Sequence, residues 1–176
     1  MQGGAWRRVS ATVGTNFGTT KLFPDNYFTI RHPNTVTTST VFKSYGEVEI
    51  KNFTIPLSTL TNGSQDTFVA ILRPVPVTLS QLNLWQSGAF VASTGISGIQ
   101  RRDQLLVFNN EVAALNKAAS AIYFHNGTSW LKAGDGTVNH DSDVIPPSSG
   151  FLIRKFRSSG GNSVDWKILH HINFFN

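Results

Sequence analysis

Apolar and polar residues alternate with a period of two through much of the chain. Tyr27-Phe28-Thr29-Ile30-Arg31 and the run from Val48 to Ile55 show it most clearly. Successive side chains of a strand point to opposite faces, so this pattern predicts strands with one buried and one wet face. The same reading predicts strands over residues 6–10, 36–43, 67–72, 104–108, 121–125, 129–132, 150–155 and 163–170. Phe151 and Ile153 lie two apart and are therefore expected on one buried face, with Trp130 buried nearby.

Turn chemistry separates these runs. Asn62-Gly63, Asn126-Gly127 and Asp135-Gly136 are hairpin or turn signals, because Asn, Asp and Gly accept positive φ. Pro24-Asp25-Asn26 and the run Pro146-Pro147-Ser148-Ser149-Gly150 read as turns in which proline presets φ. Pro74 and Pro76 argue against a central strand continuing past Leu72, since proline donates nothing to a ladder. Helix signals are few. The alanine-rich window 110–119 predicts one short helix, and residues 78–85 predict another, capped by Thr78 or Ser80.

Three anchors recur in the same order at nearly constant spacing. Trp6 corresponds to Trp130, Phe23-Pro24 to Ile145-Pro146, and Phe28-Thr29-Ile30-Arg31 to Phe151-Leu152-Ile153-Arg154. This predicts two similar β-units, at about residues 4–56 and 128–176, joined by a β-rich middle segment 57–127. The expected fold is therefore a single all-β domain. It is a mostly antiparallel β-sandwich or barrel-like domain made of two similar β-units, with few short helices.

Composition narrows the picture. A chain of 176 residues fits one folding unit of about 100–200 residues. Charged residues are 14%, against roughly 25% in an average domain, so uncharged polar side chains must cover the surface. The net charge of +5 reflects few acids more than many bases. The basic residues fall in short clusters, Arg7-Arg8, Arg101-Arg102 and Arg154-Lys155 with Arg157, which read as solvated strand ends. No long basic run marks a nucleic-acid footprint. The absence of cysteine excludes disulfides, thiolate zinc sites and cysteine nucleophiles. No apolar run is long enough for a membrane-spanning helix. The first residues show no basic region followed by an apolar one, which leaves a cytoplasmic protein, a start after a signal peptide, or a start within a longer gene, the last being the favoured expectation.

A resemblance carries the reading further. The stretches 68–74, 88–92, 103–110, 115–124, 127–134 and 144–154, in that order, resemble an uncharacterised family of exported β-rich proteins of Verrucomicrobia-type bacteria. Members often carry a signal peptide and sometimes a C-terminal sorting signal. The resemblance implies an extracytoplasmic location, secreted or at the cell surface. It implies no catalytic residues.

Candidate chemistry is sparse. His32, His125, His140, His170 and His171 lack metal-ligand spacing, and His170 and His171 would face opposite sides of a strand. The loop 135–143 offers Asp135, Asp141 and Asp143 as oxygen ligands for calcium, outside the EF-hand order. No nucleophile elbow or phosphate loop is present. Glu47 and Glu49, on one strand face, read as solvated acids. Among the tryptophans, Trp6 and Trp130 suit packing, and Trp85, beside Gln86-Ser87-Gly88, is the candidate for ligand binding. The expectation is no enzyme, no cofactor and no transition metal. Instead we expect a secreted or cell-surface β module that is structural, adhesive or ligand-binding. A glycan or cell-surface component is its expected partner, and a homo-oligomer fits. Alternatives are a carbohydrate-binding accessory domain and a viral or tail-fibre structural protein.

Overall fold

The computed structural model describes residues 5–21, 51–71, 75–109, 117–147 and 149–169, together with single positions between 30 and 43 and residue 111. Nine strands form among the described residues, and every pairing is antiparallel. β1 (Phe53–Ser58), β2 (Gln65–Ala70) and β3 (Val77–Thr78) come first. β4 (Gln104–Val107), β5 (Ala121–His125) and β6 (Trp130–Lys132) follow. β7 (Val144–Ile145), β8 (Gly150–Lys155) and β9 (Ser163–Ile168) complete the set. One five-stranded sheet has the order β2-β8-β4-β5-β6, and two small sheets pair β1 with β9 and β3 with β7. The large sheet stays open, with β2 and β6 as its edges, so no barrel closes among the described residues.

The core follows from the two-residue period. Register sets Val69 opposite Phe151, Ile153 opposite Leu105, and Leu105 opposite Tyr123, so these side chains share one face of the large sheet. They pack with Trp130, with Ile55, Leu57, Trp166 and Ile168 of the β1–β9 sheet, and with Val77 and Ile145 of the β3–β7 sheet. The small sheets thus cover one face of the large one, which gives an all-β antiparallel sandwich. Each buried side chain of this size contributes about 1.5–3 kcal/mol. Phe151, Ile153 and Trp130 are buried as expected. Leu152 is buried too, on the opposite face, so β8 is a central strand with both faces covered at its middle.

Several boundaries shift. β1 starts at Phe53 and runs to Ser58, later than the alternation suggested, and it contains Pro56. A proline is tolerated because β1 has only one neighbour. The Asn126-Gly127 hairpin joins β5 to β6, with Gly127 at φ +100 and the Asn126 side chain accepting from Thr128 N and Ser129 N. Asn62-Gly63 joins β1 to β2, but these strands belong to different sheets and form no hairpin.

Residues 78–85 yield a single 3₁₀ turn, Ser80–Leu82. Thr78 Oγ1 accepts from Gln81 N while Gln81 Oε1 accepts from Thr78 N, a reciprocal box that holds the turn's start. The alanine-rich window lies mostly outside the described residues, and its last three, 117–119, carry no helix.

The strand expected over residues 6–10 does not form, and Trp6 does not match Trp130. Trp6 is 61% exposed and Trp130 1% exposed. Trp6 lies in a loop closed by Phe17 N donating to Trp6 O, whereas Trp130 opens a paired strand. The other anchors of the first unit, at 22–29 and 31, lie outside the described residues.

Candidate functional site

The antiparallel pairing of β4 with β8 sets Gln104 opposite Arg154. β4 therefore starts where β8 ends. Residues 101–103 meet residues 155–157, and two basic clusters far apart in sequence come together at one end of the large sheet.

Two of these six residues point inward. Asp103 and Lys155 are fully buried, and Lys155 Nζ donates to Asp103 Oδ2 and to the Ala89 carbonyl. Asp103 Oδ2 also accepts from Val91 N, and Asp103 Oδ1 accepts from Phe156 N, both at 2.7 Å. The ammonium lies 5.5 Å from the centre of the Phe90 ring. Ser93 ties the same segment down: its hydroxyl accepts from Arg102 N, and its amide donates to the His125 carbonyl. A buried ion pair depends on its remaining hydrogen-bonding capacity, and here the backbone supplies Asp103 with two donors and Lys155 with one acceptor.

The other residues make a basic and aromatic surface. The Arg102 guanidinium carbon lies 4.4 Å from the centre of the half-buried Phe156 ring, and that of Arg157 lies 5.7 Å from it. Arg101 sits 5.7 Å from the centre of Phe124, with Nε and Nη1 buried and lacking an acceptor. None of Arg101, Arg102 and Arg157 has a carboxylate partner among the described residues. Arg154 differs, since Asp66 holds it bidentately at 2.8 Å and raises its pKa. Cation–π contacts contribute only about 0.5–1 kcal/mol each at exposed sites, so Arg102 and Arg157 retain capacity for an anion.

Trp85 lies elsewhere. It is half-buried and stacks on His125, with 4.2 Å between ring centres and 15° between planes. One indole face is therefore taken by a protein side chain, and Trp85 packs against the core. His125 Nδ1 accepts from Gly127 N, so the ring is neutral with its proton on Nε2. Burial pushes the His125 pKa below its ordinary value, against the opposing pull of Asp141.

The aspartates of the 135–143 loop are engaged with His140 and with the neighbouring strands β5 and β6. His140 lies between two of them, with Nδ1 at 2.9 Å from Asp143 Oδ2 and Nε2 at 3.0 Å from Asp135 Oδ2, the latter a close approach without hydrogen-bond alignment. Tyr123 donates to Asp143 Oδ2 at 2.8 Å. Burial pushes the Asp143 carboxyl up, but Tyr123, His140 and Lys132 together hold it below the usual carboxylate value. Burial and Asp143 raise the Tyr123 hydroxyl well above its ordinary range. Asp141 Oδ1 accepts from Trp130 N at 2.7 Å. An imidazole thus occupies the space between Asp135 and Asp143 that a calcium ion would need. Among the described residues no group of three or more His, Asp or Glu is placed to hold a metal. His32, His170, His171, Glu47 and Glu49 lie outside the described residues.

Comparison with family models, with curated proteins and with solved structures finds no match for this chain.

The basic end was the element missed from sequence, where its clusters read as solvated strand ends. The available signal was their position: one precedes a predicted strand and the other closes one. Only the pairing of those strands brings them together.

Proposed function

We propose that this chain is a non-catalytic β module of the cell exterior whose basic end holds an anionic partner. One observation carries the reading: Arg101, Arg102 and Arg157 gather around Phe156 and Phe124 without carboxylate partners. Guanidinium groups suit carboxylates and sulfates, which they meet with planar, paired donors. An acidic glycan of the cell envelope presents such groups.

The non-catalytic part rests on how the buried and half-buried acids among the described residues are used. Asp66 holds Arg154, Asp103 holds Lys155 and two backbone amides, Asp141 holds Trp130 N, and Asp143 holds Tyr123 and His140. General acid–base work needs a group free to reach a substrate proton. The low charge content and the resemblance noted above support an extracytoplasmic location. Salt-dependent retention on acidic over neutral polysaccharide tests the binding reading, and fractionation of the producing cells tests the location.

A further inference from the structure

Beneath the basic surface, Lys155 and Asp103 meet in an environment suited to bond formation between them. We propose that Lys155 Nζ and Asp103 Cγ join as an isopeptide bond, forming without any cofactor and covalently tying the start of β4 to the end of β8. This rests on the buried geometry alone and is independent of the anionic-partner reading.

Three features support it. Both side chains are fully buried, so bulk water, which would reverse the condensation, is kept out. The amine touches the carboxyl group directly, and the folded chain holds them together, which replaces a bimolecular encounter with a positioned one. The backbone already supplies the polar partners the reaction needs. Phe156 N donates to Asp103 Oδ1 at 2.7 Å, where negative charge develops in a tetrahedral intermediate. Val91 N donates to Oδ2, the oxygen that departs. The Ala89 carbonyl accepts from Nζ and would accept from the amide N–H of the product.

The step balances within the pair. A proton passes from Nζ to Oδ2, leaving a neutral amine and a carboxylic acid. The Nζ lone pair attacks Cγ, and the new C–N bond places the charge on Oδ1. A second proton moves from nitrogen to Oδ2, the Cγ–Oδ2 bond breaks, and Oδ1 re-forms the carbonyl. The three protons of the ammonium end as one amide hydrogen and two hydrogens of a released water. Nothing is oxidised or reduced.

Such a bond would close a loop across a sequence separation of 52 residues in a chain that has no cysteine for a disulfide. It would also turn a buried ion pair, which stabilises weakly, into a tie that persists when the chain unfolds.

Intact-mass measurement of the purified 176-residue chain under denaturing conditions is the test. The expected mass is that of the sequence less one water. Trypsin should then release segment 103–117 joined to segment 155–157, because a modified Lys155 is not cleaved. Lys155→Arg and Asp103→Ala should each restore the full mass calculated for that variant. A wild-type chain at full mass, with segment 103–117 recovered unmodified and cleavage after Lys155, would overturn the proposal. So would a water deficit that persists in Lys155→Arg or maps to a succinimide at Asp135-Gly136. The wild-type mass decides the question even if either variant fails to fold.

Discussion

The rings of Trp85 and His125 lie nearly parallel, 4.2 Å apart, and His125 Nδ1 accepts a hydrogen bond from Gly127 N. Protonating that nitrogen would remove the acceptor and place a charge beside the core. The folded state therefore binds this proton less readily than the unfolded chain, whose histidine titrates near 6.5. Stability from this group is complete above that pH and is lost as pH falls through the lowered folded pKa. Chemical denaturation across the range below 6.5 should show a falling midpoint. His125→Phe keeps the stack and should flatten that part of the profile, on a lower baseline because Gly127 N loses its acceptor. An unchanged slope would place the titration elsewhere.

Phe151 lies on the core face of the central strand and has no exposed surface. Phe151→Ala should cost about 3–5 kcal/mol in urea unfolding, the loss typical of a large side chain cut from a packed core. A loss below about 1 kcal/mol would mean that the face assignment of β8 is inverted.

Gly127 sits at φ +100, and a Cβ there would meet only Ala92 Cβ at an ordinary 3.8 Å. Space is therefore available and backbone conformation is the obstacle. Gly127→Ala should destabilise the fold by about 1–2 kcal/mol through the left-handed backbone alone. Gly127→Asn should cost less, since asparagine tolerates that region better.

Asp135 and Asp143 are engaged with His140, and Asp141 with Trp130 N. The melting temperature should therefore be the same with millimolar calcium and with chelator. A calcium-dependent rise would show that His140 gives way to the ion.

The strands β5 and β8 were legible to the residue, because alternation and turn signals are local properties. The same locality explains the failures. Trp6 and Trp130 share neighbouring residue types but not tertiary partners, and burial depends on the partners. Leu152 reads as the wet position of an alternating strand, yet β8 lies between β2 and β4 with its opposite face also covered at that point. The fate of Asp135 and Asp143 turned on His140, whose side chain fills the gap between two acids only after the loop folds. The basic end required the register of β4 on β8, and the sequence patterning of either strand says nothing about its partner.

Arg102 and Arg157, with Arg101 beside them, are proposed as a site for an anionic glycan. Its most direct test is titration of the protein with an acidic polysaccharide and with a neutral one of matched length, at two salt concentrations. Saturable binding to the acidic polymer alone is expected, weakened by salt as screening of exposed charges requires. Arg102→Ala with Arg157→Ala should abolish that binding while leaving the melting temperature near wild type. Mutating Arg7 and Arg8, which removes the same charge without touching residues 101–103 or 155–157, should leave binding intact. Equal binding to both polymers, or equal loss from either arginine pair, would contradict the claim.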